Sequence, residues 1–357
     1  MEIKKSFWKN KKVFITGING FKGSWLSLFL YYLGAKVSGN SINNERFKLL
    51  KIFRISTKVK NYNCDINNIR KLEKKIIKFR PEIIYHLAAQ PLVIDSYNDP
   101  YGTFKTNALG TLNVLEIYRK YNFIKSLVVI TTDKCYKNQN SKKIKFSETD
   151  ELGGIDPYSA SKVCAEFITN SYSNSFFVSK KNKNIATARA GNVIGGGDWS
   201  ENRLIPDIIK SMINKSNLII RNPTHVRPWQ HVLEATYGYI LLGQKMLKNK
   251  SISGAFNFGP KHNNHLNVLQ IYNLTSKLIN KKIQYKTSKN FKSNKQFKES
   301  SYLALNSSKS KKILNWSSKY NSYDTVDKTI IWYKNYYNNE NMYNFSIKQI
   351  KDYLGEK

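Results

Sequence analysis

The chain of 357 residues carries 59 Lys and Arg against 24 Asp and Glu, a formal charge of +35, and is long enough to bury a sizeable core in one large α/β domain or two lobes. A charge of that size invites a polyanion partner, but the lysines run from Lys4 to Lys357 with no basic arm or helix-turn-helix pattern, which sets nucleic-acid binding aside. The distant cysteines Cys64, Cys135 and Cys164, the lack of an apolar leader before the first strand and the lack of any long apolar run speak against a disulfide framework, a metal site, secretion and membrane spanning, and for a reducing cytoplasm.

Short β-branched runs alternate with longer helical patterns through the first half, as in a doubly wound parallel sheet of Rossmann type. The first strand, "KVFIT", runs into "GINGFKG", where Gly17, Gly20 and Gly23 precede a helix expected from near Ser24. Glycine at these places lets a pyrophosphate approach the backbone, and the helix N-terminus supplies N–H donors and partial positive charge. The intervening Asn19, Phe21 and Lys22 share that contact surface. The second strand, "KVSGN", ends without the acidic residue that accepts from a ribose 2′-OH; Asn40 or Ser41 can do so instead, and Arg46 can attract a 2′-phosphate. NAD is the favoured cofactor, with NADP left open.

After the third strand, "VKNYNC", Asp65 and Ile66 fall where an adenine would lie, although Asp65 can equally cap the helix expected at Ile69. A fourth strand, "EIIYHLA", leads into Leu87, Ala88, Ala89 and Gln90, and a helix from near Tyr101 carries Asn107. The fifth, "SLVVITT", ends in Thr132, Asp133 and Lys134, and the helix that follows holds Tyr158 and Lys162 four residues apart, on one face. A phenol with a free pKa of about 10 is a poor base unless a nearby cation favours phenolate, and Lys162 is positioned to be that cation.

A sixth strand, "NIATARA", closes a dinucleotide-binding region over residues 1–191, with return segments near 232–260 that include the strand "GAFNFGP". Residues 192–231 and 261–357 read as a smaller mixed α/β substrate-binding lobe, with "KTSKNFKSNKQFKESS" as exposed loop. The chain has nine Arg against fifty Lys, and three of the nine, Arg203, Arg221 and Arg227, fall in that lobe. Guanidinium groups suit bidentate contact with pyrophosphate.

The glycine turn, "HLAAQ", Asn107 in "TNALGT" and YxxxK together resemble the extended short-chain dehydrogenase/reductases. Within them, "HLAAQPLV", "TTDKCY", "DPYSASKVCAE", "ARAGNVIGGGDW" and "RPWQHVLE" are similar to the CDP-glucose 4,6-dehydratases. The resemblance implies a lyase that oxidises the hexose at C4 through bound NAD, eliminates water across C5 and C6 and returns the hydride to C6, for deoxysugars of surface polysaccharides. Thr132 would hold O4, Tyr158 would take its proton and Lys162 would hold the nicotinamide ribose. Asn192, Gln90, Glu299 and Tyr302 would join the arginines around the substrate, and pairing of helices would give a homodimer or homotetramer.

Dehydratases of the dTDP-glucose type carry Asp-Glu where this chain has Asp133-Lys134. Asp133 is an acid for the leaving hydroxyl only when protonated. Lys134 is a base only when neutral; charged, it stabilises an enolate at O4. A C4 epimerase, a reductase or a dehydratase for another nucleotide hexose shares the glycine turn and YxxxK, but the carboxylate after Thr132 is superfluous for epimerisation. A non-catalytic dinucleotide- or polyanion-binding module would have no need of Thr132, Asp133, Tyr158 and Lys162 together.

Overall fold

The computed structural model describes residues 2–42, 48–138, 145–177, 183–249, 251–261, 265–281, 283–287 and 300–356. Its strands are β1 (Lys12–Thr16), β2 (Lys36–Ser41), β3 (Lys60–Asn63), β4 (Ile83–His86), β5 (Ser126–Ile130), β6 (Asn184–Ala190), β7 (Val193–Ile194), β8 (Leu218–Ile220), β9 (Val226–Pro228), β10 (Gln230–His231), β11 (Gly254–Phe258), β12 (His265–Asn267) and β13 (Tyr285–Thr287). Seven of them form one parallel sheet in the order β11-β6-β5-β4-β1-β2-β3. The central strands β4, β5 and β6 are buried along their whole length, because helices cover both faces and every side chain meets apolar surface.

Alternation along each strand divides the core. Val13, Ile15, Tyr85 and Val128 belong to one face, and Phe14, Ile84, Leu127 and Val129 to the other. The Phe21–Tyr32 helix packs on β1 and β2 beside the Val232–Lys248 helix, which covers β5 and β6, and is buried at eight positions, Gly23 to Leu30. It starts at Phe21, three residues before the Ser24 expected, because Gly20 is extended (φ −63°, ψ 163°) and serves as its N-cap.

The chain leaves β1 toward β2 and β3, then returns to β4 on β1's other side. That reversal opens a crevice beyond the carboxyl ends of β1 and β4. Register brings Thr16 opposite both Asn40 and His86, so the glycine turn and the ends of β2 and β4 share one rim. The Leu204–Asn214 helix and the β8 and β9 strands contribute to the cleft at this end, while the Met342–Leu354 helix packs on the Phe21–Tyr32 and Ser322–Tyr337 helices. Trp332 stacks on Tyr336 at 5.5 Å and meets Trp199 edge-on, an aromatic seam that ties the loop after β7 to the C-terminal helices.

The lysine-rich segment expected as loop falls mainly on residues 288–299, outside the described residues, as do Arg46 and Glu299. No helix of the described residues is long and apolar enough to cross a membrane.

Candidate active site

Gly17 has φ +69°, and a Cβ there would lie 2.7 Å from the Ala88 amide nitrogen. At Gly23 a Cβ would lie 2.2 Å from the Gly17 carbonyl oxygen. The turn is thus glycine by close approach as well as by conformation, and it delivers Asn19, Phe21 and Lys22 to the N-terminal end of a twelve-residue helix. The Gly17 and Ile18 amides donate to the Asn40 carbonyl at 2.8 and 3.2 Å. Asn40 Nδ2 donates to the Cys64 carbonyl at 2.8 Å, while its buried Oδ1 has no partner among the described residues. That orphan acceptor at the end of β2, with the glycine cradle beside it, fits a dinucleotide whose ribose hydroxyl donates to Asn40.

Asp65 accepts from the Asn67 amide at 2.9 Å. The cap of the Ile69–Phe79 helix is Asn68, whose Oδ1 accepts from the Lys71 amide at 3.0 Å, so Asp65 is not the cap. Ile66 is buried against Gly110. Leu87 and Ala88 are tied to Thr16 by their amides at 3.1 Å each, which leads Ala89 and Gln90 out along the crevice.

Asn107 lies in a π-helical turn, Lys105–Leu109, a device that re-aims side chains within a helix. Its Oδ1 accepts from the Gln90 amide at 2.8 Å, and its Nδ2 donates to the Gln90 carbonyl at 3.0 Å and to Ser161 Oγ at 2.9 Å. Asn107 therefore pins the loop after β4 to the helix of Tyr158 and Lys162. The Gln90 side chain is spent locally, donating to the Leu92 carbonyl and Thr103 Oγ1.

Beyond β5, Thr132 stays extended and caps a single 3₁₀ turn, Asp133–Cys135. Its Oγ1 donates to Asp133 Oδ1 at 3.1 Å. Asp133 is 2% exposed and its Oδ2 has no partner among the described residues. Burial pushes this carboxyl up to about 6, against the pull of Lys134, Thr132 and Arg227. Tyr158, one residue into a helix opened by the Asp156 cap and Pro157, is hydrogen-bonded to Thr132, and burial drives its phenol up to about 12.

Of the charges around the phenol, Arg203 works against that rise and Asp133 adds to it. Lys162 Nζ donates to the Ile130 carbonyl at 3.2 Å. Burial first, then the charge of Lys22, brings this ammonium down to about 7. Lys22 itself is lowered to about 8 by burial and by Arg203.

Thr132, Asp133, Lys134 and Tyr158 form one wall of a cleft of about 270 Å³, with Asn192 and the three arginines across from them. Arg203 Nη1 pairs with Asp198 at 2.9 Å, Arg221 Nη2 donates to the Asn202 carbonyl at 2.6 Å, and Arg227 Nη1 to the Val226 carbonyl at 3.0 Å. The cleft thus carries Lys22, Lys134 and three guanidinium groups, an environment for an anionic ligand. Tyr302 is not among its lining residues. Its hydroxyl meets His265 Nδ1 at 3.4 Å on the ribbon beside Arg227.

Sequence reasoning missed the brace beneath this wall. Glu166 takes the Arg189 guanidinium in a two-point pair at 2.9 Å, both side chains 4% exposed, and also accepts from Thr131 and Thr187. Arg189 Nη1 donates to the Tyr136 hydroxyl at 2.8 Å, and that hydroxyl donates to Asn257 Oδ1 at 2.8 Å. One network joins the YxxxK helix, the ends of β5 and β6, the Asp133 turn and β11. A signal was present: Glu166 follows Lys162 by four residues, placing it on the sheet-facing side of the helix. Arg189→Met is expected to lower unfolding stability by about 3–5 kcal/mol, since it leaves a buried carboxylate unpaired. Equilibrium denaturation checks this, and a loss below about 1 kcal/mol would contradict the bracing role.

Comparison with known proteins adds sequence and fold relatives. A family model described as GDP-mannose 4,6 dehydratase matches residues 14–329. A CDP-glucose 4,6-dehydratase of Salmonella typhimurium is 39% identical over 358 residues, covering 99% of this chain and 98% of that protein. A CDP-paratose 2-epimerase of Salmonella typhi is 26% identical, covering 90% and 98%. Among solved structures, a dTDP-glucose 4,6-dehydratase from Bacillus anthracis in complex with NAD superposes with a TM-score of 0.75 at 23% identity, covering 94% of this chain and 99% of that one. A UDP-glucose 4-epimerase from Thermotoga maritima does so with a TM-score of 0.78 at 22% identity, covering 91% and 99%. Both structures share the fold.

Proposed function

We propose that this chain, which belongs to the GDP-mannose 4,6-dehydratase family, removes water from CDP-glucose to give CDP-4-keto-6-deoxyglucose. The observation that carries the reading is Asp133, a buried carboxyl raised to about 6 on the cleft wall that also bears Thr132 and Tyr158. Epimerisation at C4 has no use for such an acid, whereas loss of a C6 hydroxyl does. The 39% identity to a CDP-glucose enzyme over nearly the whole chain supports the choice of nucleotide.

The glycine turn, Asn40 and the segment from Leu87 to Ala89 would hold NAD, with Asp65 and Ile66 toward its adenine and Lys162 and Asn107 near its nicotinamide ribose. NAD held there would supply a hydride acceptor for C4 and the same hydride for C6. Tyr158 takes the O4 proton, with Thr132 hydrogen-bonded to the phenol and Arg203 supplying a field that favours its ionised form. The ketone at C4 acidifies the C5 proton. Asp133, kept partly protonated by burial, gives its proton to O6, so the C6–O6 bond breaks and water departs while the C5 proton leaves to a base.

Lys134 serves the second half of that elimination. Lys134→Ala is expected to oxidise C4, visible as reduced-nicotinamide absorbance, while releasing little product. Lys134→Arg separates its two possible duties: turnover in that variant assigns an electrostatic role at O4, and loss of turnover assigns proton acceptance at C5. Full dehydratase activity in Lys134→Ala would remove the residue from the mechanism.

The exposed Tyr101, Leu109 and Phe167, on the helical segments that carry Asn107 and Tyr158, support a homodimer in which these helices pair. The well-separated free thiols suit a reducing cytosol. The substrate assignment is tested by incubating the protein and NAD with CDP-, dTDP-, UDP- and GDP-hexoses and following the alkali-induced absorbance of a 4-keto sugar. Product from CDP-glucose is expected. Product from another nucleotide with none from CDP-glucose would overturn the assignment.

A further inference from the structure

Gly191 closes β6 at the edge of the cleft, and it differs from the other glycines near the site in what its missing side chain would meet. Gly197 needs its φ of +81°, and Gly196 gives way to the Trp332 ring. The φ of Gly191 is not positive, so its backbone is open to any L-residue. A Cβ there would lie 2.5 Å from Asp133 Oδ2, 3.3 Å from Asp133 Cγ and 2.6 Å from Pro228 Cγ. The separations of 2.5 and 2.6 Å are shorter than real Cβ contacts, and the third is tight. On the other side of the carboxyl, Thr132 Oγ1 donates to Oδ1 at 3.1 Å.

We infer that Gly191 is a positioning residue for the acid: together with Thr132 it sets the orientation of the Asp133 carboxyl, and a single methyl group at its Cα would turn that carboxyl away from the substrate. Oδ1 is the fixed acceptor. Oδ2, buried against Gly191 and without a hydrogen-bond partner among the described residues, is the oxygen that carries the transferable proton, and the missing side chain of Gly191 is what leaves room for it. Rotation of the short Asp133 side chain relieves the approach to Oδ2, and a shift of the Pro228 ring has to relieve the approach to its Cγ. The damage falls on geometry more than on stability, and a displacement of about 1 Å suffices for about a hundredfold loss in rate.

The inference rests on the dehydratase reading, and its test separates the two. Gly191→Ala is expected to keep the KM for CDP-glucose and the single-turnover reduction of NAD, while product formation falls by about a hundredfold. Added to Asp133→Asn, it is expected to cause no further loss, because the acid it positions is already absent. Unchanged turnover in Gly191→Ala, or losses that multiply in the double variant, would overturn the inference.

A third arm needs no activity. Gly191→Ala/Asp133→Ala is expected to melt with Asp133→Ala, since removal of the carboxyl frees the space, and this holds even where Gly191→Ala alone folds poorly. A double variant that melts well below Asp133→Ala would show that Pro228, not the acid, dictates the glycine, and would also overturn the inference. Wild-type protein that makes no keto sugar from CDP-glucose sinks the dehydratase reading instead and leaves the melting comparison standing.

Discussion

Asp133→Asn is expected to lower formation of the 4-keto-6-deoxy sugar by about 10²- to 10⁴-fold, the usual contribution of a positioned general acid, while C4 oxidation continues and reduced nicotinamide accumulates on the enzyme. The same substitution is expected to stabilise the fold at neutral pH. Burial raises the Asp133 carboxyl from 3.8 to about 6, so the folded state holds this proton more tightly than the unfolded state does. Stability therefore falls as pH rises between those values, and the full cost is present above the upper one. At about 1.4 kcal/mol per pH unit the cost comes to about 3 kcal/mol. An unpaired amide N–H in the variant takes back about 1 kcal/mol. Denaturation should show a gain of about 2 kcal/mol at pH 7–8 that disappears below about pH 4. A variant that is active, or that is less stable than wild type at pH 8, would contradict the account of Asp133 as a buried, destabilised acid.

Tyr158→Phe is expected to stop the reaction one step earlier. Without the phenol nothing accepts the O4 proton, so both cofactor reduction and product formation should fall by about 10²- to 10⁴-fold, with substrate binding by calorimetry retained. The contrast with Asp133→Asn is diagnostic. One variant should never reduce the cofactor, and the other should reduce it and stall. Wild-type cofactor reduction in Tyr158→Phe would move the proton acceptor elsewhere in the cleft, whose lining includes Lys22, lowered to about 8.

Strands β1, β4 and β5 were legible because strands buried on both faces appear as apolar runs. The glycine turn was legible because close backbone approach admits one residue type, and the shared face of Tyr158 and Lys162 because helical spacing fixes it. What escaped depends on distant segments meeting. Nothing local in "KVCAE" or "TARAG" says that Glu166 and Arg189 pair in two-point fashion beneath the active turn. The charge of Arg203, 45 residues further along the chain, also bears on Tyr158, which helical spacing alone does not announce. Asp65 lost the helix cap to Asn68 because the helix starts at Ile69, as expected, and the residue directly before its first turn supplies the cap.

The central claim is that one molecule of sugar is oxidised at C4, dehydrated and reduced at C6 within a single cleft. CDP-glucose deuterated at C4 tests it directly. The account predicts a product whose C6 methyl group carries the deuterium, seen by NMR, with no exchange into free cofactor. A methyl group without deuterium, or deuterium returned to C4 in an epimerised hexose, would contradict it.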